Sequence, residues 1–114
     1  MSLSYRIDPV EAQPQFGNTG PEGWGFTLWC DNRPDYDSIH RSFLERFAAA
    51  HPQAVLSLPP YSPGEDCIEG WLEWAGQPVW IWYENILDYL YLWCSDRAAV
   101  EELRRLAMKG LDAE

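Results

Sequence analysis

Apolar and polar positions alternate strictly, three times in succession, in the stretch CIEGWLEWAGQPVWIWYENILDYLYLWC from Cys67 to Cys94. A period of two marks strands with two distinct faces. Ile68, Gly70, Leu72 and Trp74 share one face of the first segment, and Glu69, Trp71 and Glu73 the other. In the second, Val79, Ile81 and Tyr83 oppose Trp80, Trp82 and Glu84; in the third, Leu90, Leu92 and Cys94 oppose Tyr89, Tyr91 and Trp93. Ala75-Gly76-Gln77-Pro78 and Asn85-Ile86 punctuate the run. The pattern predicts a three-stranded antiparallel meander with an aliphatic face suited to a core and an aromatic face carrying carboxylates.

The flanking segments complete the architecture. Ser4–Asp8 alternates weakly and predicts an edge strand closed by Pro9. Glu11 to Gly25 has the Gly, Pro and Asn content of a loop. Gly25–Cys30 predicts a strand with Phe26, Leu28 and Cys30 on one face. Asp35 is a helix N-cap candidate, with Ile39, Phe43, Leu44 and Phe47 as the apolar stripe of a helix ending near Ala50, because Pro52 disfavours helix at His51. Ala54–Leu58 predicts a short strand, and Pro59–Asp66 a stiff loop into the meander. Ser95 or Asp96 caps a last helix with Val100, Leu103, Leu106 and Ala107 buried and Gly110 as its stop. The expected fold is α+β: residues 1–114 form a single domain, in the order β-β-α-β-β-β-β-α, with one antiparallel sheet and two helices packed on one face.

Charge narrows the range of partners. Eighteen acidic against eight basic residues give a net charge of −10. That field repels nucleic-acid phosphates and anionic membranes and attracts cationic partners. No run is long enough to span a bilayer, and MSLSYRIDPVEAQ has no basic stretch leading into an apolar one, so neither a membrane segment nor a secretory signal is expected. Cys30, Cys67 and Cys94 each fall at a predicted strand end, which suits buried free thiols in a reducing, cytoplasmic compartment and no disulfide.

Catalytic and metal chemistry find little support. His40 and His51 are eleven residues apart, and no Cys-x-x-Cys or His-x-x-x-His spacing occurs, so no metal or other cofactor is expected. Glu69 and Glu73 flank Trp71, but four residues of strand separate them by roughly 14 Å, beyond the roughly 5–10 Å of paired glycosidase carboxylates. Glu84 on the next strand can approach one of them, without any further catalytic group beside it. An enzyme is therefore not expected.

The aromatic face carries the functional expectation. Trp71, Trp80, Trp82, Tyr89, Tyr91 and Trp93 come from three neighbouring strands and would form one patch, and Trp and Tyr are the commonest anchors of protein interfaces. Glu69, Glu73 and Glu84 would add charge complementarity, and Asp31, Asp35 and Asp37 a second acidic cluster. Two arrangements would remove this patch: cover by the Glu11–Gly25 or Pro59–Asp66 loop, or helices packed on the aromatic rather than the aliphatic side. In being small, acidic, aromatic-rich and without a catalytic constellation, the chain resembles in general type the bacterial immunity proteins that neutralise cognate toxins. The expectation is a protein-binding domain, of immunity type, directed at a cationic protein. Its alternatives are a carbohydrate-binding module using the same tryptophans and a homodimer burying the aromatic faces of two copies.

Overall fold

The computed structural model describes residues 5–13, 23–30 and 39–112. Its elements are β1 (Tyr5–Ile7), β2 (Glu11–Gln13), β3 (Gly23–Cys30), α1 (Ile39–Ala50), β4 (Ala54–Ser57), β5 (Cys67–Trp74), β6 (Gln77–Glu84), β7 (Tyr89–Cys94) and α2 (Arg97–Asp112). The strands build one antiparallel sheet in the order β1-β3-β7-β6-β5-β4. The expected α+β architecture is present, with β2 as an additional three-residue strand. β1 pairs with the end of β3 and β2 with its start, so the two share one edge of that strand and are broken by Pro9.

The meander forms where alternation places it. β5 and β6 meet through Ala75 and Gly76, both at positive φ (49° and 86°), the conformation that a two-residue hairpin turn demands. Pro78, expected in the turn, lies in β6 opposite Glu73. The second turn spans four residues: Asp88 N donates to Asn85 O, and Asp88 takes φ 59° before Tyr89.

One face of the sheet meets both helices. Leu72, Trp74, Val79, Ile81, Tyr83, Leu90, Leu92 and Cys94 pack with Phe26 and Leu28, with Phe43 and Leu44 of α1, and with Val100, Leu103 and Ala107 of α2. The aliphatic side is the helix side, as alternation implies. Asp96 caps α2 by accepting from Ala98 N at 3.0 Å, while the helix runs through Gly110, expected as its stop, to Asp112. The N-cap expected at Asp35 lies outside the described residues.

The proline-rich loop is held down by a buried ion pair. Arg41 donates from Nε and Nη2 to the two oxygens of Glu65 (3.1 and 2.9 Å) and from Nη2 to Pro59 O (2.8 Å). Tyr83 Oη donates to Glu65 Oε2 at 2.5 Å, and Asn85 Nδ2 to Glu65 O at 2.9 Å. Because Tyr83 belongs to the helix-side core, this anchors the Glu65 end of the loop to the core rather than over the aromatic rings. Cys30 and Cys94 are buried, whereas Cys67, expected to be buried, is exposed at the start of β5.

Candidate functional site: the outer face of the sheet

Pairing register lays the outer face out in rows. Trp93, Trp80, Trp71 and Ser57 lie side by side across β7, β6, β5 and β4; Tyr91, Trp82 and Glu69 form the next row; Tyr89, Glu84 and Cys67 the third. All six expected aromatic residues therefore belong to one contiguous surface.

Their exposure differs sharply, and here expectation and structure part. Trp80, Tyr91 and Trp93 are only 6, 5 and 6% exposed; Trp82 and Tyr89 are half-buried; Trp71 is 49% exposed. Trp80 stacks on Trp82 and meets Tyr91 and Trp93 edge to face, with centroids 6.0–6.2 Å apart. Such offset and edge-to-face contacts bury part of each ring against its neighbours. Room for two of them comes from β3. A Cβ at Gly25 would lie 2.7 Å from Tyr91 Oη, and one at Gly23 would lie 2.9 Å from Trp93 Nε1. Tyr91 and Trp93 thus lean over a glycine lane, and the face expected to be uniformly open is a closed aromatic floor with one open end at Trp71.

Carboxylates hold the floor's polar edges. Glu69, exposed on β5, accepts from Trp80 Nε1 at 2.7 Å. Glu84 Oε2 accepts from Trp82 Nε1 at 3.0 Å and from Tyr89 Oη. Those donors hold the Glu84 carboxyl below the usual range, so it is anionic and a poor proton donor near neutral pH. Burial, and then the Glu84 carboxylate, push the Tyr89 phenol up; burial, and then Glu11, do the same for Tyr91.

At the open end, Trp71 stands between exposed Glu69 and Glu73. With Val55, Ser57, Leu72, Glu73, Gly76 and Pro78 it lines a groove of about 470 Å³. Val55 is 59% exposed there. Sequence reasoning missed Val55 and Ser57 because the solvent-facing half of a four-residue strand has little pattern; the sequence signal was the alternation of Ala54–Leu58. The groove pairs a planar indole and an aliphatic wall with carboxylate, which suits a cation carrying an apolar stem.

A second grouping follows from the hairpin register. Cys67 opposes Glu84, and Asp66 precedes it. The ligand atoms of Asp66, Cys67 and Glu84 all lie within 4.8 Å of one another, a set that could hold a metal ion although no metal spacing is visible in the sequence. Loss of solvent around the thiol, followed by the charges of Asp66 and Glu84, pushes Cys67 above its ordinary range and keeps it protonated. That is the opposite of the tuning that activates a thiol nucleophile. The expected cluster Asp31, Asp35 and Asp37 lies outside the described residues. No helix among the described residues is long and apolar enough to cross a membrane. Comparison of the chain with protein-family models, curated proteins and solved structures returns no match.

Proposed function

We propose that this chain is a small acidic protein-binding domain of the cytoplasm that takes a cationic protein partner at the Trp71 end of its outer face. The observation that carries the reading is the half-exposed Trp71 indole set between Glu69 and Glu73 and facing the groove beside Val55. A guanidinium or ammonium placed over an indole gains about 0.5–1 kcal/mol at an exposed site and more when desolvated. The flanking carboxylates add attraction, and the net charge of −10 speeds encounter with a basic surface. The buried rings Trp80, Tyr91 and Trp93 serve as a rigid floor behind the anchor rather than as anchors themselves. Inhibition of a cationic toxin or enzyme, in the manner of an immunity protein, is the biological form that this chemistry suits.

The test is a titration of the 15N-labelled chain with hexa-arginine, hexa-glutamate and cellohexaose, read at the indole N–H resonances. Hexa-arginine is expected to move the Trp71 resonance while those of Trp80 and Trp93 stay in place. Binding should weaken as salt rises, and Glu69→Gln/Glu73→Gln should reduce affinity about threefold to thirtyfold, the equivalent of about 0.6–2 kcal/mol for two exposed charges. Salt-insensitive binding of cellohexaose at Trp71, or equal shifts with hexa-glutamate, would replace this reading with a carbohydrate or non-specific site.

A further inference from the structure

The partner's mode of attachment can be read from the sheet edge beside Trp71. Among the described residues β4 is the last strand of the sheet, with β5 on one side. Ala75 N donates to Gln53 O at 3.0 Å, so Gln53 and Ala75 form a hydrogen-bonded pair. In an antiparallel ladder such pairs alternate, and with the β4–β5 register the next ones are Val55 with Glu73 and Ser57 with Trp71. The peptide groups of Ala54 and Leu56 therefore turn away from β5. Ala54 N is used by His51 O in the turn after α1, which leaves Ala54 C=O and both groups of Leu56 along the edge.

Natural edges are guarded by charge, proline or a bulge. The opposite edge of this sheet has such guards: Arg6, Asp8, Pro9 and Glu11 run along β1 and β2. β4 reads Ala-Val-Leu-Ser, with no charge or proline within the strand and Pro52 and Pro59 only beyond its ends, and its outward Val55 is exposed. A strand laid against β4 would place alternate side chains on the outer face, beside Val55 and Ser57. Trp71 lies one strand further in, about 10 Å from the added backbone at two strand spacings. Ser57 is the small residue that separates them. Arginine, with the longest cationic side chain, is the one suited to cross Ser57 and lie on the Trp71 indole next to Glu73.

Resting on the cationic-partner reading above, we infer that β4 is a strand-addition edge: the partner contributes an extended segment with arginines at alternate positions, hydrogen-bonded through Leu56, with one guanidinium over Trp71. A second copy of this chain is a poorer occupant. Two β4 edges brought together would bring no cation to Trp71 and would set the Glu69 and Glu73 carboxylates of the two copies about 14 Å apart, at three strand spacings, under a net charge of −10 each.

The experiment uses the whole chain and two capped peptides, (Arg-Thr)3-Arg and the same peptide N-methylated at alternate amides, which keeps every side chain but cannot pair as a strand. The parent peptide is expected to slow exchange of the Leu56 amide about tenfold or more and to move the Trp71 indole resonance. The methylated peptide should bind at least about tenfold more weakly and leave Leu56 exchange unchanged. Equal binding of both peptides, with Trp71 shifted and Leu56 unprotected, would overturn strand addition while leaving the cationic-partner reading standing. If neither peptide, nor hexa-arginine, moves Trp71, both readings fail together. Protection of Leu56 in the free chain, accompanied by a dimer in sedimentation, would assign the edge to a second copy and overturn the inference.

Discussion

Trp80 and Trp71 sit directly opposite one another on neighbouring strands, yet replacing each by alanine should have very different consequences. A tryptophan buries on the order of 200 Å², which at about 25 cal/mol per Å² is about 5 kcal/mol of transfer free energy. Trp80 is 6% exposed, so nearly all of that is lost in Trp80→Ala, and the rings of Trp82, Tyr91 and Trp93 are left around a void. The expected cost is about 4 kcal/mol, within the roughly 3–5 kcal/mol seen for large aromatic truncations. Trp71 is 49% exposed and one side of it is already wet, so the ceiling is about 2.5 kcal/mol and no closed cavity forms. A cost of about 1–2 kcal/mol is expected for Trp71→Ala. Urea unfolding followed by far-UV circular dichroism separates the two. With a slope of about 1.5 kcal/mol per M, the midpoint should fall by about 2.5 M for Trp80→Ala and about 1 M for Trp71→Ala. Losses equal within about 0.5 kcal/mol would refute the division of this face into a closed floor and an open end. So would a Trp71 variant that fails to fold.

Two further outcomes are expected. Glu65→Ala strips the buried Arg41 guanidinium and the Tyr83 hydroxyl of their acceptor and should cost about 3–5 kcal/mol, whereas Glu101→Ala, at the exposed Arg97–Glu101 pair, should cost less than about 1 kcal/mol; urea melts of both variants check this. Burial is the first cause that pushes the phenols of Tyr83, Tyr89 and Tyr91 above the ordinary value of about 10. The folded chain then keeps protons that the unfolded chain loses, so their contribution to stability is complete below about pH 10 and declines as pH rises beyond it. Tyrosinate absorbance should show Tyr83, Tyr89 and Tyr91 ionising only with unfolding, and a urea midpoint unchanged between pH 8 and 11 would contradict this.

The sequence determined everything here that follows from local geometry. Alternation assigned Leu72, Val79, Ile81, Leu90 and Leu92 to one face and the outer aromatics to the other, because successive strand residues must point to opposite sides. The hairpin turn was legible, but its length was not: the expected turn ran on through Pro78, whereas the two-residue Ala75-Gly76 turn brings Pro78 into β6 and sets Trp71 against Trp80 and Cys67 against Glu84. The helix stripes followed for the same reason, through a period of 3.6.

Tertiary structure decided which of those outer rings meet water. A residue's face is fixed by its own backbone, but its exposure depends on which strands lie beside it, and lateral order is a long-range property. β3 lies against β7 and presents Gly23 and Gly25 where Tyr91 and Trp93 need space, so those rings close over it. β4 lies outside β5 and offers only Val55 and Ser57, too little to cover Trp71. Glu65 shows the same limit: a residue read as part of a polar loop is a buried acceptor because Arg41 and Tyr83, far from it in sequence, converge on it and offset the cost of removing its charge from water.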